Sequence, residues 1–348
     1  MTNIITRRIS VPLLSNQSWS SMNYVAHKNV QFSVIGAASK IGSNLSLLLK
    51  QNQKVRHLKL YDEDTRINGV GIELTHVPGG PFITAYDSDK LGAAIQFSDI
   101  IVMVSRTPRK PGTTREQMLS SNTSVILQLC KALANNNPEA FLAISTNPIN
   151  SIIPFASAML HKYHCYNPYK MFGITHIDTA RSRAFAGDAL NVNPRDLEVP
   201  VIGGHSDKTI VPLFSNLTPS YYQVDACQAD MLTRLVRKAG TEVLINKQGT
   251  ESATLAMAWS IHEFVDGLIN AICGSEVVLN CYTANPHYGT KFFSGPTNIG
   301  CYGIKQTCGN FKMSAYESYM LNNAISAINC DVAIGEEYVR YIEGPVKR

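Results

Sequence analysis

The sequence predicts an α/β fold: a doubly wound parallel sheet in the N-terminal half, followed by a C-terminal α+β domain that carries the chemistry. Three observations predict it. Short, continuous, β-branched apolar runs alternate with segments of helical period up to about residue 173, the pattern of strands joined by helical crossovers. A glycine-bounded turn joins the first run to the first helix. Beyond about residue 174 the alternation gives way to longer helices. At 348 residues the chain exceeds what one core holds comfortably. The expected division is therefore a leader at 1–28, one domain at 29–173 and a second at 174–348.

VQFSVIG (30–36) reads as the first strand, being short, apolar and β-branched. The helix IGSNLSLLLKQN (41–52) follows, and HLKLYD (57–62) is a second strand that ends on an acid. DIIVMVS (99–105) and AFLAIST (140–146) are uninterrupted, as strands covered on both faces are. A helix around EQMLSSNTSVILQLCKALANN (116–136) separates them. In the second half, LEVPVIGGH (197–205) and EVVLNCYTA (276–284) lie between helices. There is no internal repeat and no low-complexity segment, and the cleft between the two domains is the expected site.

Composition narrows the function. An apolar fraction of 45% and a charged fraction of 16% are those of a soluble globular protein. A net charge of +5, with no basic stripe interleaved with aromatics, gives no reason to expect nucleic acid. The longest apolar runs are too short for a membrane helix. The eight cysteines are scattered without a CxxC pair, which suits a reducing compartment. His161 and His164 have no cysteine or carboxylate cluster beside them; they read as a surface helix end, and no metal site is expected. The first 28 residues hold arginines and serines but no acid, the first carboxylate of the chain being Asp62. That is the composition of a mitochondrial transit peptide.

Gly36-Ala37-Ala38-Ser39-Lys40-Ile41-Gly42 lies between the first strand and its helix. A dinucleotide pyrophosphate meets helix amides at this place, and glycines there let backbone approach phosphate. Asp62, ending the second strand, is placed to accept hydrogen bonds from the adenine-ribose hydroxyls. Its charge would repel a 2′-phosphate, so NAD is expected over NADP. Ser39 and Lys40 are larger than the residues such a turn favours.

The stretch SRTPRKPGTTREQ (105–117) concentrates Arg106, Arg109, Lys110 and Arg115. Taken alone, such a cluster reads as a solvated loop. Leaving a buried strand of an open α/β sheet, it reads as a grip for carboxylate or phosphate. Asp178 and Arg181, three apart in HIDTARSR, would share one helix face. His205 follows the pair Gly203-Gly204. Each has an ordinary structural reading by itself. Together with a dinucleotide turn they fit alcohol oxidation: imidazole takes the hydroxyl proton, a carboxylate fixes its tautomer, and Arg109, Arg115 and Arg181 hold substrate carboxylates.

TPRKPGTTR, STNPINS, MFGITHIDTARSRAF, VPVIGGHSDKT and SATLAMA follow one another in the order and spacing of the mitochondrial-type malate dehydrogenases, and from about residue 30 onward the chain resembles that family. The resemblance implies a Rossmann NAD-binding domain and a homodimer in the mitochondrial matrix, acting on malate and oxaloacetate. It implies His205 and Asp178 as the proton-relay pair, and Arg109 as the residue that binds the carboxylate separating malate from lactate. Arg115, Arg181 and Asn147 would hold the remaining substrate groups. Asn122, Ser145, Asn147 and Met257 would line the cofactor cleft beside the 36–42 turn and Asp62. The sequence departs from the family at Ser39, Lys40, Arg106 and Glu251, where small residues are usual. Those departures leave open a second reading, a weakened or inactive relative kept for binding or structure.

Overall fold

The computed structural model describes residues 29–105, 107 and 112–343. The leader, Arg106, Arg109 and Lys110 lie outside the described residues, as does the side chain of Arg115.

Six parallel strands form the N-terminal sheet: β1 (Val30–Ile35), β2 (Val55–Asp62), β3 (Phe82–Asp87), β4 (Ile100–Met103), β5 (Phe141–Ile144) and β6 (Met171–Ile174), in the order β3-β2-β1-β4-β5-β6. The helices α1 (Lys40–Lys50), α2 (Ile67–Thr75), α3 (Leu91–Ile95), α4 (Arg115–Asn136) and α5 (Ile149–Lys162) lie between successive strands. This is the doubly wound Rossmann order. Between β1 and β4 the chain reverses its direction of travel across the sheet, which opens a crevice beyond their C-terminal ends.

The apolar runs are continuous because both faces of these strands are buried. On β4, Ile100 and Val102 join one core cluster with Leu45 and Leu49 of α1, whereas Ile101 and Met103 join the other with Leu129 of α4 and Phe155 of α5. Local chemistry starts the helices. Ser39 caps α1, and Thr114 caps α4 in a reciprocal pair with Gln117. α5 ends at Lys162, with His161 and His164 both exposed.

The second half adds α6 (His176–Leu190), β7 (Val201–Gly203), β8 (Ile210–Pro212), α7 (Ala226–Asn246), α8 (Leu255–Ile272), β9 (Val277–Ala284), β10 (Phe292–Gly300), β11 (Gly303–Thr307) and α9 (Ala315–Glu343). Its strands do not form a sheet apart from the first. β9 pairs antiparallel with β6, β10 with β9, β7 and β11, and β7 with β8, making a single eleven-stranded sheet. Of the apolar segment 197–205, only three residues are strand, because Pro200 precedes it and Gly204 follows. α8 packs on α1, and α9 packs on α5, so each half supplies cover for the other.

Candidate active site

The site is built around a glycine pair. Gly203 has φ +104°, and a Cβ on it would lie 2.1 Å from the Thr209 carbonyl. A Cβ on Gly204 would meet the Asn150 amide at 2.8 Å. Without side chains at both positions, the chain after β7 folds flat against Thr209 and Asn150. His205 is thereby delivered with its backbone N–H donating to Asn150 Oδ1 at 2.8 Å. Asn150 is itself braced, its Nδ2 donating to Asp331 Oδ2 at 2.9 Å on α9 and to Thr209 Oγ1 at 3.2 Å.

The His205 ring reaches α6. Its Nδ1 lies 2.6 Å from Asp178 Oδ2. Asp178 stands in the first turn of α6, where the helix dipole favours a carboxylate, and only 1% of its side chain is exposed. An imidazole that donates Nδ1–H to Asp178 leaves Nε2 free to accept a proton. The guanidinium of Arg181 lies 3.7 Å from Asp178 Oδ1, on the same face of the helix. It packs against Gly240 of α7, where a Cβ would come within 3.7 Å of it.

His205 and Arg181 open onto a cleft of about 120 Å³ that Asn122, Asn147 and Met257 also line. Asn122, on α4, uses its side chain as a brace. Its Oδ1 accepts from Thr107 N at 2.7 Å, and its Nδ2 donates to the Asn147 carbonyl at 2.7 Å. The start of the arginine loop and the end of β5 are thus tied together. Ser145 is buried just past β5, its N–H donating to Met103 O at 2.9 Å; it lines neither this cleft nor the groove described next.

The glycine turn faces that second opening, a groove of about 510 Å³ lined by Ser39, Lys40, Asp62, Ser105, Glu251 and Ser252 among others. Gly36 has φ +93°, and a Cβ there would sit 2.4 Å from Ser105 N. Gly36 N and Ala37 N both donate to the Tyr61 carbonyl, at 2.8 and 3.0 Å. Asp62 accepts from Ala38 N at 2.9 Å and from Asp64 N at 3.1 Å, so its carboxylate is held at the tip of β2. Ile41 and Gly42 are both buried, and of the two only Ile41 lines the groove. A bare-backbone turn, a helix N-terminus and a fixed carboxylate along one groove fit the pyrophosphate and ribose of a dinucleotide.

Three of the four departures from the family pattern, Ser39, Lys40 and Glu251, have structural answers, and Arg106 lies outside the described residues. Ser39 does not crowd the turn. Its Oγ donates to Gly36 O at 2.7 Å and accepts from Gly42 N at 3.1 Å, completing the cap of α1. Lys40 and Glu251 answer each other: Lys40 Nζ lies 2.6 Å from Glu251 Oε2, and Lys247 Nζ lies 2.8 Å from Oε1. Hydrogen bonds from Lys247 first and Lys40 second hold the Glu251 carboxyl down at about 2. Glu251 lines the dinucleotide groove; its neighbours Ser252 and Ala253 reach the His205 cleft.

Sequence reasoning singled out neither Asn150 nor Arg237, which also lines the His205 cleft. Asn150 lies inside STNPINS, three residues beyond Asn147, and that spacing was the available signal. Arg237 reads in sequence as one more helix-surface charge. Among the described residues, no group of three or more His, Cys, Asp or Glu converges as a metal-ligand set, and no helix is long and apolar enough to cross a membrane.

Comparison with known proteins points to the same family along both halves. Residues 30–173 match the NAD binding domain of lactate/malate dehydrogenases, and residues 175–338 match their alpha/beta C-terminal domain. Mitochondrial malate dehydrogenase of Bos taurus is 36% identical over 322 residues, spanning 92% of this chain and 95% of the relative. The crystal structure of Cryptosporidium parvum malate dehydrogenase superimposes with a TM-score of 0.76 at 26% identity, covering 88% of this chain and 98% of that one. A lactate dehydrogenase from the same organism, solved with lactic acid and β-nicotinamide adenine dinucleotide, gives 0.77 at 22% identity over 91% and 99% of the two chains.

Proposed function

We propose, from the premise that the chain belongs to the lactate/malate dehydrogenase family, that this NAD-dependent oxidoreductase interconverts (S)-malate and oxaloacetate. The observation that carries the reading is His205 Nδ1 at 2.6 Å from a buried Asp178, with Arg181 alongside, in a cleft next to the dinucleotide groove.

When bound, NAD supplies the two-electron acceptor for the hydrogen on C2 of the 2-hydroxy acid. The chain's own residues do the rest. Nε2 of His205 takes the C2 hydroxyl proton, and Asp178 holds the ring in the tautomer that can take it, then stabilises the imidazolium. Asn150 fixes the His205 backbone. Arg181 holds the carboxylate next to the reacting carbon, with Asn147 beside it. Arg109 holds the second carboxylate, the one that separates malate from lactate, and Arg115 joins Arg181 and Asn147 on the remaining substrate groups. The 36–42 turn and Asp62 hold the dinucleotide, with Asn122 bracing the loop from below. On the division at 29–173 and 174–348, the dinucleotide turn, Asp62, Arg109, Arg115 and Asn147 belong to the first half, and Asp178, Arg181 and His205 to the second.

The acid-free leader and the mitochondrial relatives support placement in the mitochondrial matrix, and the resemblance supports a homodimer. A second reading, a weakened relative, is favoured by one observation: the Lys40–Glu251 pair stands over the cofactor groove.

The test is NADH oxidation by the purified full chain with oxaloacetate and with pyruvate, repeated with NADPH. Oxaloacetate is expected to exceed pyruvate in kcat/KM by at least about 100-fold, because a site built for a polar group penalises its absence, and NADH is expected to exceed NADPH. A preference for pyruvate would make the chain a lactate dehydrogenase. No turnover by a folded chain that binds NADH would leave the weakened relative.

A further inference from the structure

Among the described residues, the proposed reaction leaves one cation of the His205 cleft, Arg237, without a task. Arg237 lines the cleft with His205 and Arg181. It stands on α7 one turn before Gly240, the residue against which Arg181 packs, so both arginines meet the same face of that helix. Its Nε donates to the Ile210 carbonyl at 2.8 Å, which fixes the plane of the guanidinium. Its Nη2 is buried and has no hydrogen-bond partner among the described residues.

The surroundings do not neutralise it. Burial pushes Arg237 below the usual arginine range, and the nearby Tyr316 and Asp207 oppose that shift. The Tyr316 hydroxyl is already committed, donating to Asp230 Oδ1 at 2.7 Å. Asp207 is the one acid among the described residues that line the same cleft. Arginine stays protonated regardless. A buried guanidinium donor left unmet is costly, and an anionic oxygen arriving in the cleft would meet it.

We propose that Arg237 is a specificity-determining residue: a fixed cation for the carboxylate remote from the reacting carbon of a four-carbon 2-oxo or 2-hydroxy diacid. The assignment rests on the dehydrogenase reading of the cleft. Arg181, beside the His205–Asp178 pair, takes the near carboxylate. Arg237 gives the far one a cation in addition to Arg109, mounted on a helix and anchored through the Ile210 carbonyl. Preference for a dicarboxylate therefore does not rest on the loop alone, and Arg109→Gln retains part of it.

The experiment measures binding and turnover separately on the full chain, Arg237→Gln and Arg237→Lys. Hydroxymalonate, a diacid that cannot accept hydride from NADH, is titrated against the NADH complex by fluorescence, and oxaloacetate and pyruvate are compared in steady state. Expected is about 10-fold or greater weakening of hydroxymalonate by Arg237→Gln. The oxaloacetate KM should rise by more than kcat falls, pyruvate kinetics should change little, NADH affinity should be retained, and Arg237→Lys should recover part of the loss. If the chain binds NADH but turns nothing over, Arg237-dependent hydroxymalonate binding still supports the assignment while the proposed activity fails. The assignment is overturned if Arg237→Gln leaves hydroxymalonate within about twofold of wild type, or if NADH affinity falls alongside, or if Arg237→Lys is no better than Arg237→Gln.

Discussion

Lys40 and Glu251 stand 2.6 Å apart, joining the first residue of α1 to the segment that leads into α8, and both line the dinucleotide groove. Two residues that each depart from the family pattern therefore compensate one another. The Lys40 side chain is 74% exposed, so the pair adds little to stability. Its consequence is for the anion that must enter the groove.

Removing Glu251 takes a negative charge away from the pyrophosphate position and releases Lys40 toward it. Glu251→Gln is expected to tighten NADH binding by about 2- to 5-fold, the range of an exposed ion pair, and Lys40→Gln to weaken it. Salt near 0.5 M should narrow both differences by screening. The carboxyl is held down at about 2. A carboxylate with a depressed pKa is fully charged above its ordinary range and loses its pairing only as pH falls through the depressed value. The effect should therefore be constant from pH 6 to pH 8. Fluorescence titration of NADH checks it, and weaker binding by Glu251→Gln would contradict the account.

Gly36 and Gly42 are both closed to a side chain, a Cβ on Gly42 meeting Gly36 O at 2.1 Å, and Gly36 has a positive φ besides. At φ +93°, with Ser105 N 2.4 Å from where a Cβ would lie, Gly36→Ala meets both backbone strain and a contact that no side-chain rotation relieves. The expected cost is roughly 1–3 kcal/mol of stability, with NADH affinity down about 10-fold or more because the turn and the end of β4 separate. Thermal unfolding with and without NADH measures both. Wild-type affinity would mean that the turn does not cradle the cofactor.

His176, the first residue of α6, gives a pH signature in stability. Burial, with Arg183 adding to it and Asp178 opposing, pushes its pKa down to about 4 from the ordinary 6.5. Between those values the unfolded chain binds a proton that the folded chain does not, so stability falls as pH drops from 6.5 toward 4. The slope from this residue approaches roughly 1.4 kcal/mol per pH unit. His176→Gln should flatten a denaturant series over that window relative to wild type. Parallel curves for the two proteins would contradict the assignment.

Much of the N-terminal sheet can be read from the chain because β1, β4 and β5 are buried on both faces and therefore uninterrupted in sequence. β3 could not be read so: it is an edge strand whose Phe82 is 69% exposed, and FITAYD shows no buried run. β10 escaped because FFSGPTNIG contains Gly295 and Pro296, residues that argue against a strand. The joining of both halves into one sheet rests on β6–β9 pairing, a long-range contact without a local signal. At the site, Asp178 and Arg181 share a helix, so spacing alone related them. His205 reaches Asp178 only through the Gly203–Gly204 turn, and the chemistry of alcohol oxidation together with the resemblance, not spacing, relates them. Lys40 and Glu251 were each visible as departures, but their pairing exists only in three dimensions. Arg237 carries no sequence signal, since its significance lies in a buried Nη2 with no hydrogen-bond partner among the described residues.

In the proposed reaction His205, held by Asp178 at 2.6 Å, carries the proton while the cofactor carries the electrons. The most direct measurement is the rate of NADH oxidation by oxaloacetate for the full chain, His205→Ala and Asp178→Asn, with NADH affinity determined for each. Robust turnover is expected in the wild type, with a loss of roughly 100-fold to 10,000-fold in both variants, as removal of a positioned general acid–base or of the carboxylate that orients it demands, and NADH affinity unchanged throughout. A wild-type chain that binds NADH without turnover, or a His205→Ala variant that turns over at the wild-type rate, would contradict it.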